Sequence, residues 1–317
     1  MTTKKRIVRF ISNPNAGRGG RRRAAEVARF CELLGARGIE VEVVETRAPR
    51  DATRLAAEAA REGVREVVVS GGDGTINEAL QGLVGTSVRL GIWPAGTANV
   101  LARELKLPFD AEGAADVVAC GLTRRIYAGC ATEEESGERR YFFLMAGVGL
   151  DASVVERVNA RLKRRVGEGA YWASGVEHLM RWQPLPFEIE IEGQTYPATF
   201  AAVGKAAHYG GDISVTPQAR LDKPEFEICV VNSYSRLRYL RLLLQGMRGD
   251  GARRGIAGVR YVRATRARAT GGGARVQVDG ELIGRLPMTF EIVQEPVEVI
   301  APRLQERDAG GGYRRLR

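Results

Sequence analysis

Val67-Val68-Val69-Ser70-Gly71-Gly72-Asp73-Gly74-Thr75-Ile76-Asn77-Glu78 is the stretch whose reading decides the fold. An apolar β-branched run ends in a glycine-dense turn and continues as a helical stretch over residues 76–84. Strand, tight turn and helix in that order form part of a βαβ unit. Glycines let such a turn adopt positive φ and let a ligand approach the main chain, while the N–H groups opening the next helix attract an anion. Asp73 needs an explanation there. A carboxylate repels phosphate unless a divalent cation bridges the two or a proton is taken from an attacking hydroxyl. The plainer alternative is an Asp that only caps the helix.

Outward from this turn, residues 6–12 read as a strand, and residues 21–35 as a helix with Ala24, Val27, Ala28, Cys31 and Leu34 on one side. Ile39, Val41 and Val43 alternate with Glu40 and Glu42; residues 50–62 form an Ala-rich helix; residues 89–93 are a further strand. This alternation predicts a doubly wound parallel sheet over residues 1–126, whose ligands bind beyond the carboxyl ends of the strands. Two more polar turns fall on that edge: Asn13-Pro14-Asn15-Ala16-Gly17 and Pro94-Ala95-Gly96-Thr97-Ala98-Asn99. The first alone marks an ordinary loop. Three such turns at equivalent strand ends point to a nucleotide phosphate site, although neither Gly-x-x-x-x-Gly-Lys nor Gly-x-Gly-x-x-Gly after the first strand is present.

Past about Cys120 the pattern changes to period two, as in residues 187–192, 276–278 and 297–299, and predicts a β-sandwich over residues 127–302. The C-terminal segment packing back on the first domain is left open, and residues 303–317 read as a loose tail. Helices are expected over residues 152–165 and 235–247. In the second, Leu237, Leu240, Leu244 and Met247 share a face, and Arg236, Arg238, Arg241 and Arg248 add positive charge. That combination suits an anionic membrane surface; a core helix with a solvated rim is the preferred reading.

The 317 residues, 44% of them apolar, suffice for two domains with a real core and exclude a disordered chain. A net charge of +10 favours polyanionic partners. The basic residues are spread thinly and no recognition motif accompanies them, which argues against nucleic acid. No stretch approaches the roughly 18 apolar residues of a membrane span. Cys31, Cys120, Cys130 and Cys229 show no C-x-x-C pair and suggest a reducing cytoplasm. His178 and His208 lack partners for a zinc site. Tyr171, Trp172 and Trp182 could line an acyl pocket, though such aromatics are more often core.

The three turns, together with Ala146-Gly147-Val148-Gly149-Leu150-Asp151-Ala152 and Val278-Asp279-Gly280-Glu281, resemble the diacylglycerol kinase catalytic-domain family, which also includes sphingosine kinases. The resemblance spans nearly all of residues 6–302. It implies an α/β nucleotide domain followed by a β-sandwich, with the ATP site in the cleft between them. ATP would then contact Asn13, Pro14, Asn15, Ala16, Gly17, Thr46, Gly72, Asp73, Gly74, Thr75, Ile76, Asn77, Glu78 and Thr97. Thr46 enters only through a family pattern that Asp51 and Ala52 complete. Glu281 matches the acid read as proton acceptor, with Asp73 holding cation-bridged phosphates or serving as the base itself. Asp151 would meet the lipid head group. The residues themselves agree on Glu281: an Asp-Gly hairpin turn can project a carboxylate at a sandwich rim, although a solvated acid is the plainer reading.

The resemblance implies a kinase that uses ATP and Mg²⁺ to phosphorylate a lipid at the inner face of an anionic membrane, as a peripheral cytoplasmic protein; a homodimer is left open. Phosphoryl transfer needs position and charge neutralisation, for which Arg18, Arg103 and Lys205 are candidates, each read otherwise as a surface charge. The alternatives are an NAD kinase and a regulatory module that binds nucleotide or anionic lipid without catalysis. Three departures bear on the site: Val100 and Tyr127 each stand where the family often has Asp. In Leu221-Asp222-Lys223-Pro224-Glu225-Phe226, Lys223 replaces the Asp used for a structural Mg²⁺. Asp222, or Glu225, could serve as metal ligand in its place, but an ammonium at position 223 replacing the metal is favoured.

Overall fold

The computed structural model describes residues 6–17, 20–150, 182–208, 213–247 and 255–303. Arg18, Asp151, the helix expected over residues 152–165, Tyr171, Trp172, His178, Arg248 and residues 304–317 lie outside the described residues.

Apolar strands β1 (Arg6–Ser12), β2 (Ile39–Glu45), β3 (Glu66–Gly71) and β4 (Arg89–Pro94) alternate with helices α1 (Gly20–Ala36), α2 (Asp51–Arg61) and α3 (Asp73–Leu83). Helices α4 (Val100–Glu104) and α5 (Ala111–Cys120) then lead into β5 (Thr123–Ile126). The first sheet has the order β2-β1-β3-β4, parallel throughout, and is extended by β18 (Val297–Ile300) and β5. The last strand of the described chain thus lies between β4, to which it is parallel, and β5, to which it is antiparallel.

Every residue of β3 is buried, because helices cover both faces. On one face Phe10, Phe30 and Trp93 stack beneath α1 and α5, with Phe30 and Trp93 centroids 4.6 Å apart. On the other, Ala52, Ala56 and Ala59 of α2 meet Leu80 and Leu83 of α3. At the amino end of the sheet the buried Glu66 carboxylate accepts from Arg6, at 2.7 Å, and from Arg89.

The second half contains two six-stranded antiparallel sheets. One comprises β6 (Gly129–Glu133), β7 (Arg139–Phe142), β9 (Phe187–Ile191), β10 (Gln194–Ala198), β14 (Arg266–Thr270) and β17 (Met288–Ile292), in the order β10-β9-β14-β17-β6-β7. The other comprises β8 (Met145–Val148), β11 (Phe200–Gly204), β12 (Phe226–Val231), β13 (Val259–Ala264), β15 (Arg275–Val278) and β16 (Glu281–Arg285), in the order β13-β12-β11-β8-β15-β16. Strand β9 shows why they stack: Phe187, Ile189 and Ile191 are buried while Glu188 and Glu190 face water. Ile189, Met288 and Phe290 from one sheet meet Ala146, Val203 and Ile228 from the other.

Helix α6 (Arg236–Met247) lies against the outer side of the second sheet, through a face other than the one expected. Tyr239, Leu242 and Gly246 are its buried residues, whereas Leu237 is 69% and Met247 52% exposed. The reason is aromatic. Tyr239 donates to or accepts from the Thr199 hydroxyl at 2.7 Å and meets the Trp182 ring edge-on at 5.2 Å, so its side of the helix takes the sheet and the leucine side is left outward. Trp182 accordingly belongs to this packing.

Candidate functional site

The three polar turns meet at the carboxyl ends of β1, β3 and β4, where the strand order reverses. The Asn13 side-chain amide donates to Thr75 Oγ1 at 2.9 Å, joining the first turn to the second. Asn13 Oδ1 also accepts from the Asn15 N–H at 2.9 Å, which closes the first turn on itself. Second and third turns touch backbone to backbone: a Cβ on Gly96 would lie 2.5 Å from the Gly72 Cα and 2.8 Å from Asn99 Oδ1. Gly17, with φ of +63°, brings the first turn against the carbonyl of Ala95 in the third. Asn99 tolerates its own left-handed conformation by bonding both ways to Gly96, each at 2.8 Å.

Helix α3 begins at Asp73, with Gly72 as N-cap and no side chain capping it. The Asp73 carboxylate therefore sits in the first helical turn. It accepts a long hydrogen bond, 3.4 Å, from the Leu101 N–H at the start of α4. The N–H groups of Gly74 and Thr75 lack partners within the helix by its geometry and are directed toward the turns, where an anion is favoured. Thr46 lies buried at the end of β2, its N–H bonded to the Ser12 carbonyl at 3.0 Å, and so stands beside the first turn. Asp51 closes the following loop by accepting from the N–H groups of Arg47 and Ala48. The Arg47 N–H, then Arg54 and the Ala48 N–H, hold its carboxyl below the usual range. Thr97 is exposed on the third turn, and the Ile76 side chain is in the core, leaving only its main chain near the turns.

The sandwich reaches this edge through one hairpin. Asp279 and Gly280, with φ of 46° and 88°, form the two-residue turn between β15 and β16. The Asp279 carboxylate accepts from the Asn77 amide at 2.7 Å and from the N–H groups of Phe143, Leu144 and Met145 at 2.8 to 3.0 Å. Burial pushes its carboxyl up to about 6, against the pull of those four donors. Asn77 is one helical turn beyond Asp73, and its Oδ1 accepts from Gln81 at 2.9 Å. Its amide is thus committed to clasping the two halves. Glu281, two residues past Asp279, pairs with Arg140 and lines a recess of about 170 Å³ with Arg50 and Met288.

Of the basic candidates, Arg103 bonds the Ala98 carbonyl at 2.9 Å and lies over the Phe109 ring. Lys205 is no surface charge: it is fully buried, and burial pulls its ammonium down to about 8 against the nearby charges of Asp222 and Glu225. Its Nζ donates to the carbonyls of Arg220 at 2.9 Å, Glu225 at 3.1 Å and Lys223. The ammonium of Lys223 is itself exposed, which corrects the expectation that position 223 supplies the charge. Asp222, expected as a metal ligand, bonds through both oxygens to Arg220, at 3.0 and 2.8 Å. A structural Mg²⁺ does not fit a cradle whose carbonyls already face an ammonium.

Sequence reasoning gave no role to Asp279, Arg140 or Arg23. Asp279 was visible as half of an Asp-Gly turn, but its four donors come from four distant residues. Arg23, on α1, donates to the Ser70 hydroxyl at 2.6 Å, sits 4.6 Å over the Trp93 ring and braces the end of β3 from below. Only the fold reveals it.

The two halves each match a known domain family. Residues 7–131 match the diacylglycerol kinase catalytic domain and residues 145–301 the YegS C-terminal NAD kinase beta sandwich-like domain. Diacylglycerol kinase of Mycobacterium tuberculosis (strain ATCC 25618 / H37Rv) is 33% identical over 300 residues, covering 93% of this chain and 95% of that protein. Diacylglycerol kinase of Bacillus subtilis (strain 168) is 29% identical over 301 residues, covering 93% and 96%. A crystal structure of a diacylglycerol kinase from Bacillus anthracis str. Sterne superposes with a TM-score of 0.71 at 22% identity, over 95% of this chain and 98% of that one, and attests the shared fold. By these matches the chain belongs to the diacylglycerol kinase catalytic-domain family, ATP-dependent phosphotransferases that act on a lipid alcohol.

Proposed function

We propose that the acceptor is diacylglycerol or a lipid of the same build, phosphorylated at its free hydroxyl from ATP held across the three turns. The observation that carries this reading is the convergence of the Asn13, Gly72 and Gly96 turns with the Asp279-Gly280 hairpin at one sheet edge. The main-chain N–H groups of Gly74 and Thr75, at the positive end of α3, orient the phosphates of the nucleotide. Mg²⁺ bound with ATP would neutralise phosphate charge, and Asp73, at the head of α3, is the carboxylate that would hold it. Glu281 accepts the proton of the lipid hydroxyl as the oxygen attacks the γ-phosphorus and the bond to the β-phosphate oxygen breaks. Arg140 pairs with that carboxylate at the recess and holds its position until the lipid enters.

The lipid is taken from the surface of an anionic membrane on the cytoplasmic side. No helix among the described residues is long and apolar enough to cross a bilayer. The outward side of α6 supports a peripheral arrangement: Leu237 and Met247, with Tyr234 just before the helix, are more than half exposed, and Arg236 and Arg241 of the helix are exposed too, adding basic charge to the apolar residues.

The test is transfer of labelled γ-phosphate from MgATP to a panel in mixed micelles: diacylglycerol, phosphatidylglycerol, a sphingoid base, ceramide and a polyprenol, with NAD as soluble acceptor. Labelled phosphatidic acid, lost in Asp73→Ala and Glu281→Ala, is the expected result. Labelling of another acceptor in preference to diacylglycerol would overturn the assignment.

A further inference from the structure

Lys205 presents an unusual arrangement, because a fully buried ammonium has three main-chain carbonyls as its hydrogen-bond acceptors. All three, from Arg220, Lys223 and Glu225, belong to the short loop over residues 220–225 that leads into β12. A lysine is among the residues least often buried, and an unpaired charge in an apolar interior is strongly unfavourable. Here each N–H of the ammonium meets one oxygen, so the donors are matched in number. A ring of carbonyl oxygens converging on a point is also the arrangement by which proteins hold a hard cation.

We infer that the Lys205 ammonium is a built-in cation that occupies, on a tether, the place a divalent ion would take, and that it makes the Arg220–Glu225 loop independent of metal. The surroundings support this on independent grounds. Lys223 puts a second positive charge on the loop, which would repel a divalent ion but leaves a lysine's carbonyl available. The loop's two acids are paired elsewhere, Asp222 with Arg220 at 2.8 Å and Glu225 with Arg263 at 3.8 Å. Among the described residues no group of three metal-binding side chains forms anywhere.

The tether also fixes where the loop lies relative to the clasp. The N–H groups of Lys205 and Ala206 both donate to the Leu144 carbonyl, at 2.8 and 3.0 Å, and the Leu144 N–H donates to Asp279 at 2.9 Å. The Tyr127 N–H bonds the Leu221 carbonyl at 2.9 Å, and the Tyr127 ring lies 5.9 Å from the ammonium. Tyr127, a departure from the family pattern, thus faces the same cation as Lys223. The two replacements and the buried lysine form one set.

The experiment is thermal unfolding of the full chain without nucleotide, in EDTA, MgCl₂ and CaCl₂, so that it reads the loop and not turnover. Wild-type melting should agree to within about 1 °C across the three conditions, and Lys205→Met should lower it by about 10 °C or more, as expected for carbonyls left without their cation. The double variant Lys205→Ala/Lys223→Asp restores a carboxylate and empties the cradle. It should melt several degrees higher in MgCl₂ or CaCl₂ than in EDTA. Melting of the wild type that rises by several degrees with either divalent ion would overturn the proposal, as would a Lys205→Met protein that melts like wild type. If Lys205→Met does not fold, the wild-type and double-variant arms still decide. A folded double variant indifferent to both divalent ions counts against a cation site.

Discussion

The two halves of the molecule bring different materials to one edge. The α/β half offers main chain: its three turns touch through glycines and asparagines, and Gly72 and Gly96 approach so closely that neither could carry a side chain unchanged. The sandwich half offers side chains, with Asp279 and Glu281 on a single hairpin, one locked into the clasp and one facing a recess. Binding built from main chain fails when atoms are added, whereas chemistry built from carboxylates fails when charge is removed. The two contributions can therefore be broken separately.

The largest effect should come from the sandwich side. Glu281→Gln keeps the shape and loses the proposed proton acceptor, so kcat in the labelled-phosphate assay should fall by about 10²- to 10⁴-fold, with the KM for ATP little changed. A rise in KM with kcat intact would move Glu281 from chemistry to binding. On the main-chain side, Gly96→Ala forces a Cβ into Gly72 and Asn99. It should raise the KM for ATP at least tenfold and destabilise the fold by about 1–3 kcal/mol in urea titration. An unaffected KM would show that the two turns do not act as one nucleotide site.

The clasp joins the two halves, so its loss should cost stability before activity. Asn77→Ala removes one of four donors to the Asp279 carboxylate and should destabilise by about 1–3 kcal/mol. The pH dependence has a definite sign. The Asp279 carboxyl is raised to about 6, so the native state binds its proton more tightly than the unfolded state. Its stabilising contribution is complete below about pH 4 and disappears as pH rises through 6. The stability of wild type minus that of Asp279→Asn should therefore decline between pH 4.5 and 7; a difference that grows over that interval would mean the four donors outweigh burial.

The smallest effect sharpens the contrast within the turns. Nothing lies within 4 Å of a Cβ placed on Gly74. Gly74→Ala should leave stability unchanged or raise it by up to about 1 kcal/mol. Any rise in the KM for ATP would then report the nucleotide itself against that face.

These regions also differ in how far the sequence reveals them. The glycine turns were legible because a turn that must dispense with Cβ atoms shows it in composition, and the alternation of β1 to β4 with α1 to α3 follows from periodicity alone. Glu281 was legible as the acid after an Asp-Gly turn. Asp279's part was not, since its partners Asn77, Phe143, Leu144 and Met145 are more than a hundred residues away. Helix α6 misled for a local reason: leucines define one apolar side, but a tyrosine with a buried hydroxyl partner on another side takes the sheet. Lys205 read as a surface charge because its compensation comes from carbonyls, which every residue has and no composition displays.

The position of β18 bears on how the protein is made. Residues 297–300 complete a sheet whose other strands were synthesised first, lying between β4 and β5 with all but Glu298 fully buried. On the ribosome, the α/β half emerges early but has an unfilled slot until the whole sandwich has been synthesised. Shortening the chain before residue 297 should therefore damage the half that was translated first.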